Sequence, residues 1–420
     1  MLLERVILFN KKDFLSFLLL CAFILSYSLL IDFQKYKNLT RFDSADVDAR
    51  VLKQYTKTKK SKTYQILKLK TDDGVTFYIS AKKSFPDVRG QKLKLEIWAG
   101  KITFRDYLTS FYAYSRVEKI NSLPTLKQKL NALIASEHTN QKITNIYQAL
   151  YSAAPLSKEL QTSFSFLGVS HLLAISGFHL GVLSGLLFFL LRTPYSFFQN
   201  RYFPYRNSKS DLFITVATLL LLYLLFLDSP PSLLRAYTML IIGFTLYDRG
   251  IKIISMQTLL LTVMLLLSFS PKLFFALGFW LSVSGVFYIF LFLIHFKHLS
   301  KLWQFVLIPF WVYLLMLPFS LVIFGSFSIY HPLSIIWTTL FTLFYPLSIF
   351  LHLIGFGDLF DGMLESLISL NQNKTAIQLS NIWLILHIIL SLITIFLKRI
   401  MWILLFMNLS LLIYAIYYVT

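Results

Sequence analysis

A series of long apolar runs, separated by short polar segments, constrains the fold of this chain more than any other feature. A helix needs roughly 17 to 25 mainly apolar residues to cross a bilayer. Only 14% of the residues are charged, whereas about 25% are charged in ordinary soluble domains. These properties predict a polytopic α-helical membrane protein with about 8 to 10 transmembrane helices. The candidate spans are 14–31, 167–191, 212–227, 233–247, 252–269, 273–294, 303–324, 333–354, 382–397 and 401–419.

Positive charge is concentrated between the first and second of these spans. The chain has a net charge of +20, and residues 35–129 contain 22 Lys and Arg against 9 Asp and Glu. Such a basic surface implies an anionic partner, either nucleic acid or acidic membrane lipid. The single cysteine, Cys21, lies inside the first apolar run, which excludes a disulfide framework and a cysteine-ligated zinc site. We interpret that run as an uncleaved membrane anchor.

Residues 40–115 alternate between apolar and polar side chains. The segments KLKLEIW (92–98) and VTFYIS (75–80) have the two-residue period of half-buried strands, and DDG (72–74) is typical of a hairpin turn. We therefore predict a small OB-like β-barrel of about five strands, a fold that binds single strands on a basic, aromatic face. At least half of its aromatic residues are expected only to fill the barrel. The candidate DNA contacts are Lys68, Lys70, Tyr78, Lys92, Lys94 and Trp98.

The segment after the β-domain is mixed in polarity and is predicted to form interfacial amphipathic helices at 121–165, beginning after Pro124. Lysines precede the first span, so the positive-inside rule places the N-terminus in the cytoplasm and the β-domain outside. The basic loops 192–209, 248–252 and 295–301 are then cytoplasmic, and the loops 228–232 and 268–272 face outward.

The second span contains residues that lipid does not require. His171, Ser176 and His179 lie in its first half, and intramembrane ionisable groups are candidates for function because they are costly to insert. A neutral histidine bonded to a carbonyl is the alternative interpretation. Arg235, near the start of a later span, either has a function or extends outward to the membrane surface. Glycines spaced for close helix packing are Gly177, Gly181 and Gly185, with Gly278 on a second small-polar face that also carries Ser282.

Signatures of common enzymes are missing from the sequence. There is no GxxxxGK[ST] loop, which excludes a P-loop ATPase within this chain. The histidines form no zinc-hydrolase cluster, and HFKH (295–298) has no carboxylate beside it, so we predict neither a metal nor a cofactor. The acidic residues of 358–365 are explained by an amphipathic surface helix.

Three segments resemble signatures of the ComEC family of competence DNA-uptake channels: HLLAISGFH (171–179), SLLRA (232–236) and GFWLSVSGV (278–286). The order of the segments is that of the family, and ComEC proteins also carry a small N-terminal β-barrel. Trp280 departs from the family, which usually has glutamine there. The chain resembles a short form of the family, without the C-terminal metallo-β-lactamase-like domain of longer members.

The resemblance implies a multi-pass channel of the bacterial inner membrane that carries single-stranded DNA into the cytoplasm during natural transformation and is not an enzyme. It places His171, Ser176, His179 and Arg235 at or near the DNA pathway, with Ser282 as a further candidate. Expected partners are single-stranded DNA, membrane lipid, an outer-compartment DNA receptor, a cytosolic motor or single-strand-binding proteins, and further copies of the chain.

Two other functions remain open at this point. One is a membrane-bound enzyme or flippase for lipid-linked anionic substrates, with His171 and His179 as acid and base; the other is an anchor that displays a DNA-binding barrel. The predicted domains are an anchor at 1–34, a basic OB-like domain at 35–120, interfacial helices at 121–165, a ComEC-like transmembrane core at 166–354, and an amphipathic helix with the last transmembrane helices at 355–420.

Overall fold

The computed structural model describes residues 11–59, 62–121, 126–248, 255–370, 375–377 and 379–419. The start of the predicted span at 252, Pro124 and most of the loop 248–252 lie outside these residues. The chain divides into two compact units. One unit comprises Met1–Ser157 and Met264–Ala276, and the other comprises Lys158–Val263 and Leu277–Thr420.

The first unit is built around a curled, six-stranded half-barrel, which confirms the OB-like prediction with one strand more than expected. Its apolar side chains face a common core, in which Leu93, Leu95 and Ile97 are fully buried as their alternation predicts. Gly74 has a φ of +83° in the turn between the second and third strands, a conformation that favours glycine. The elements are α1 (Lys11–Leu39), β1 (Ser44–Lys59), β2 (Lys62–Thr71), β3 (Thr76–Lys82), β4 (Lys92–Trp98), α2 (Phe104–Thr109), β5 (Phe111–Tyr112), β6 (Tyr114–Asn121), α3 (Leu126–Glu137) and α4 (Gln141–Ser152), with the sheet order β5-β3-β2-β1-β4-β6.

The end of α1 is fixed to the β-domain and to the short 3₁₀ helix Pro271–Phe275. Tyr36 of α1 packs against Phe104 and Tyr107 of α2 with ring centroids 5.5 and 5.9 Å apart. Lys272 lies 3.1 Å from the Asp32 carboxylate, and its ammonium lies over the Tyr107 ring at 4.6 Å. The loop 268–272 is thus bound to α1 and the β-domain through Lys272. That both face outward stays a prediction of the charge rule.

The helix that follows the β-domain, α3, has both buried and exposed apolar residues. Ile134 of α3 is buried, whereas Leu126 and Leu133 are exposed. The helix is held to α4 by the Ser152 hydroxyl, which lies 2.7 Å from the Asn131 side-chain oxygen. The exposed leucines leave the predicted interfacial role open.

The second unit consists almost entirely of apolar helices. Across the described part of the chain, seven helices are long and apolar enough to cross a membrane, and three shorter apolar helices occur at Ser232–Thr245, Met256–Phe269 and Asn381–Ile393. Every predicted span corresponds to one of these helices, which confirms the polytopic helical fold. The remaining elements are α5 (Lys158–Phe166), α6 (Ser170–Leu173), α7 (Gly177–Tyr202), α8 (Ser208–Phe226), α9 (Pro231–Asp248), α10 (Met256–Phe269), α11 (Leu277–His295), α12 (Lys301–Phe324), β7 (Ser326–Phe327), α13 (Ser334–Leu353), α14 (Asp361–Ser369), β8 (Thr375–Ala376), α15 (Asn381–Ile393) and α16 (Lys398–Val419).

One predicted span is wrong in its first part. Residues 167–176 do not continue α7 but form the short α6 and an extended link, and α7 begins at Gly177 and continues to Tyr202. Gly168 has a φ of +72°, and an added Cβ would lie 3.2 Å from the His331 backbone. A chain reversal packed this closely requires glycine and stops the helix.

Candidate functional site

The start of α7 is capped by two of the predicted site residues. Ser176 is the N-cap, and its hydroxyl accepts a hydrogen bond from the Phe178 N–H at 3.3 Å. The His179 ring closes the capping box, because its Nδ1 accepts from the Ser176 N–H at 3.2 Å. Serine and a side-chain acceptor three residues later satisfy backbone donors that a helix start leaves unpaired. Ser176 and His179 therefore have a structural role as helix caps, which their spacing in the sequence did not predict.

His179 is fully buried and points its ring edge at two aromatic residues of α13. The ring centroids of Phe341 and Tyr345 lie 5.1 and 4.8 Å away. Because Nδ1 accepts a hydrogen bond, the proton of the neutral ring lies on Nε2. That Nε2 has no hydrogen-bond partner among the described residues, although the Leu172 carbonyl is nearby. A buried neutral ring with a backbone carbonyl beside it matches the structural interpretation of this histidine given by the sequence.

His171 lies on α6 and reaches the same neighbouring helix. Its Nε2 is 3.3 Å from the Thr338 hydroxyl of α13. The His171 side chain is exposed. The structure therefore directs both histidines toward α13, but through a break in the helix and not through the continuous helical face that their spacing suggested.

Arg235 is buried among neutral groups. Its side chain is 4% exposed, its Nη2 donates to the Ser282 hydroxyl of α11 at 2.5 Å, and its Nη1 lies 3.4 Å from the Met239 sulfur. The Nε has no partner among the described residues, and no charged neighbour of the guanidinium is found among them. The Arg235 side chain therefore points into the protein and contacts Ser282, a contact that the sequence did not predict, and the role of both residues in the DNA pathway stays a prediction.

The glycine ladder contributes close packing at its first member only. A Cβ on Gly177 would lie 2.9 Å from the Ala236 Cβ and 3.2 Å from the Arg235 Nη2. At Gly181, Gly185 and Gly278 an added Cβ would meet no described atom within 4 Å. Close packing at these three glycines is therefore not found among the described residues, and α7 is packed on α8 through larger side chains, such as Phe188 on Phe213.

The β-domain presents a basic and aromatic row on the face opposite its core. Lys53 on β1 pairs in register with Lys68 on β2, Lys68 with Tyr78 on β3, and Tyr78 with Tyr112 on β5. The Lys68 ammonium lies 5.5 Å from the Tyr78 ring centre, and the Tyr78 and Tyr112 rings stack at 5.0 Å. Burial lowers the pKa of Lys68, and burial together with the Lys68 charge lowers that of Lys53. We call Lys53, Lys68, Tyr78 and Tyr112 the cross-strand row.

The other predicted contacts of the β-domain share this face but differ in their partners. Lys70 and Lys92 both lie opposite Arg50 of β1 and form a second basic line beside the row. Lys92 donates to Asp72 at 2.5 Å, which raises its pKa, and Lys94 lies 3.2 Å from Glu118. Trp98 is exposed at the far end of β4. Lys53 and Tyr112 were missed, since a bulge shifts the register of β1 after Val51 and β5 has only two residues.

Sequence reasoning also missed a buried polar network between the last helices. Tyr288 of α11 lies 2.8 Å from the His387 Nε2 and 3.0 Å from the Ser391 hydroxyl of α15. His387 also approaches the Leu315 carbonyl at 3.0 Å, and Asn408 of α16 lies 3.4 Å from its Nδ1. These contacts join α11, α12, α15 and α16, and isolated polar residues in apolar runs were the only signal for them.

No group of three or more His, Cys, Asp or Glu side chains suited to a metal occurs among the described residues. The described side chains of the candidate site are histidines, hydroxyls and one arginine, all of which can donate hydrogen bonds.

Comparison with known proteins identifies the family. The family model of the Competence protein matches residues 152–420, a range that contains all three motifs at 171–179, 232–236 and 278–286. Neither the curated proteins nor the solved structures give a match. The matched range covers more than half of the chain and confirms the resemblance to ComEC. The chain therefore belongs to the Competence protein family, whose role is in DNA uptake.

Proposed function

We propose that the protein is a channel of the inner membrane that moves single-stranded DNA into the cytoplasm. The observation that carries the proposal is the buried guanidinium of Arg235, which has no negative partner among the described residues and lies within the family motifs. An arginine in the membrane is unfavourable by about 2.5 to 3.5 kcal/mol on insertion scales. A polyanion passing between the helices would supply the negative charge that the described residues around Arg235 do not provide.

The cross-strand row supports a first step in which the β-domain holds the incoming strand. Lys53 and Lys68 offer charge to phosphates, and the Tyr78–Tyr112 stack offers a surface for bases. Base stacking on aromatic side chains contributes about 1 to 3 kcal/mol per base and tolerates any sequence. This step accounts for the basic composition of residues 35–129 better than headgroup binding does, because flat aromatic surfaces have no use for a lipid phosphate.

Movement of the strand requires an energy source outside the described residues. With the cell interior negative, each uncompensated phosphate that crosses the field costs about 2.3 kcal/mol per 100 mV. The sequence has no P-loop motif. A cytosolic motor or single-strand-binding proteins would therefore trap the strand inside, and an outer-compartment receptor would deliver it.

The test follows labelled DNA across the envelope in a strain that lacks the gene. Loss of labelled DNA from the cytoplasm, with normal accumulation outside the inner membrane, is expected. Complementation with Arg235→Gln at wild-type abundance should restore less than a tenth of the uptake, while Arg192→Gln, at an exposed arginine on α7, should restore it fully. Normal cytoplasmic entry in the deletion strain would refute the channel and favour the enzyme or flippase interpretation.

A further inference from the structure

The charge of Arg235 is placed against the end of another helix. Its Nη2 lies 3.2 Å from the position that a Cβ would take on Gly177, the first residue of α7. The first turn of a helix carries a partial positive charge of roughly half an elementary charge. The structure thus brings two positive groups together in a buried position with no described carboxylate nearby. Repulsion between them is unfavourable unless an anion joins them.

The groups around this point match the chemistry of an oxyanion. The guanidinium offers a planar fork of N–H donors, and its Nε is buried without a partner. The Ser282 hydroxyl, 2.5 Å from the Nη2, is a donor that an anion can use. The first turn of α7 contributes its dipole to this point, as helix N-termini do in phosphate sites, while its Phe178 and His179 N–H groups are already bonded to Ser176.

We propose that Arg235, Ser282 and the first turn of α7 form a binding site for one phosphate group. The inference rests on the proposed function in that the phosphodiester of single-stranded DNA is taken as its physiological source. The phosphate of an anionic lipid has the same chemistry and is the other possible source. Ser282 and Met239 now fill the space beside the guanidinium, so inorganic phosphate enters by displacing side chains, whereas a DNA strand requires the helices to separate.

The test is the thermal stability of the full chain in detergent, measured in inorganic phosphate and in chloride of the same ionic strength. A ligand that binds only the folded state raises the Tm, and at about ten times its Kd the expected rise is about 2 °C. Arg235→Gln should abolish the rise, Arg235→Lys should retain part of it, and Arg192→Gln should retain all of it. An equal rise in wild type and Arg235→Gln, or no rise in wild type, would overturn the proposal.

The stability of the variant without phosphate gives a second, independent result. Because an unpaired buried charge is removed, Arg235→Gln in chloride should be at least as stable as wild type. A fall in its Tm in chloride would show that the guanidinium is satisfied structurally, and the phosphate site would be rejected.

Two further arms identify the source of the phosphate. A thymidine oligonucleotide that raises the Tm through Arg235 places DNA at the site. A rise that depends on Arg235 with phosphatidylglycerol micelles but not with the oligonucleotide supports the phosphate site and counts against its use by DNA. The deletion experiment then decides the channel function separately.

Discussion

At the scale of single residues, the short segment before α7 combines structural and functional demands on the same side chains. Ser176 and His179 cap the helix, yet the second ring nitrogen of His179 has no partner among the described residues. Gly177 lets Arg235 lie against the helix end. The effects of a substitution in this segment on packing, helix capping and anion binding can therefore be distinguished only if each variant is compared with a control variant.

Gly177→Ala should reduce the stability of the protein, whereas Gly181→Ala should not. The added Cβ at Gly177 would lie 2.9 Å from the Ala236 Cβ, closer than real contacts allow, and no described atom lies within 4 Å of the same position at Gly181. Overpacking of this kind costs about 1 to 3 kcal/mol. The amount of monodisperse protein in detergent and its Tm are the measurements. Equal Tm values for the two variants would show that α7 can move away from α9 freely.

His179→Gln and His179→Ala should differ in stability. A glutamine at the third position of a helix can complete a capping box with Ser176, whereas alanine leaves the Ser176 N–H without its acceptor, a loss of about 1 to 3 kcal/mol when the donor is buried, although Ser176 still caps the helix. Stability in detergent should therefore follow the order wild type, Gln, Ala. DNA entry is measured in parallel at matched abundance. Full transport by the Gln variant would limit His179 to capping, and loss of transport would assign a role to its ring.

The residue types of this site could be predicted from the sequence, but their arrangement could not. The histidines, Ser176, Arg235 and Ser282 were identified because polar groups are unexpected in apolar runs. Their geometry depends on Gly168, whose positive φ and contact with His331 stop the helix. That contact joins residues far apart in the chain, and a periodicity read within one run cannot detect it. The same limit explains why Gly181 and Gly185 were expected at a helix contact.

At the scale of elements, the β-domain was the most predictable part because alternation directly records which face is buried. The register of its strands could not be predicted, because a bulge after Val51 moves Lys53 next to Lys68. The β-domain does not end at its predicted bounds of 35–120, since β6 continues to Asn121 and Tyr36 of α1 packs on α2. The full chain in detergent is the appropriate form for measurements of DNA binding.

Replacing both Lys53 and Lys68 by glutamine should weaken binding of single-stranded DNA by the full chain. Each phosphate contact contributes about 0.7 to the slope of log affinity against log salt, so the double variant should lose about 1.4 from that slope. Lys101→Gln, at an exposed turn, is the control and should leave the slope within about 0.7 of wild type. Fluorescence anisotropy at several salt concentrations measures this slope. An unchanged slope in the double variant would exclude the cross-strand row from the DNA-binding surface.

The same two lysines predict how binding depends on pH. Burial lowers the pKa of both, so they lose their charge at a lower pH than ordinary lysines. Affinity should fall as pH rises, starting below the usual lysine range. The folding stability without DNA depends on pH with the opposite sign. Between the lowered pKa of these lysines and the ordinary lysine pKa, the unfolded chain binds more protons than the folded chain, so the folded state gains stability as pH rises. The double variant should not show the fall in DNA affinity that begins below the usual lysine range. Anisotropy titrations at several alkaline pH values measure the affinity.

At the scale of the whole molecule, the positions of the apolar helices could be predicted because hydropathy is a local property, whereas their number was not, since seven of the described helices are long enough to span a membrane and about 8 to 10 were predicted. Sidedness rests on charge rules, and the ion pair between Asp32 and Lys272 adds that the β-domain and the loop 268–272 belong together. The rules place Tyr205, which is 83% exposed in the loop after α7, on the opposite side.

Cysteine labelling in spheroplasts should locate the two sides. Cys21, the one cysteine of the sequence, is 4% exposed and should react little with a membrane-impermeant maleimide. Lys101→Cys, in the β-domain, should be labelled on intact spheroplasts, and Tyr205→Cys only after permeabilisation. Labelling in the reverse order would invert the proposed direction of transport through the molecule.

The break between α6 and α7 also has a mechanical consequence. A continuous helix resists bending, but three non-helical residues, Ala174 to Ser176, separate these two helices. The start of α7 is held by Gly177 against α9. Beyond its first turn α7 stays packed along α8, where Phe188 stacks on Phe213 and the Tyr195 hydroxyl donates to Asp211. A rotation at Ala174 to Ser176 would therefore change the distance between His171 and His179 and leave the packed pair of α7 and α8 intact.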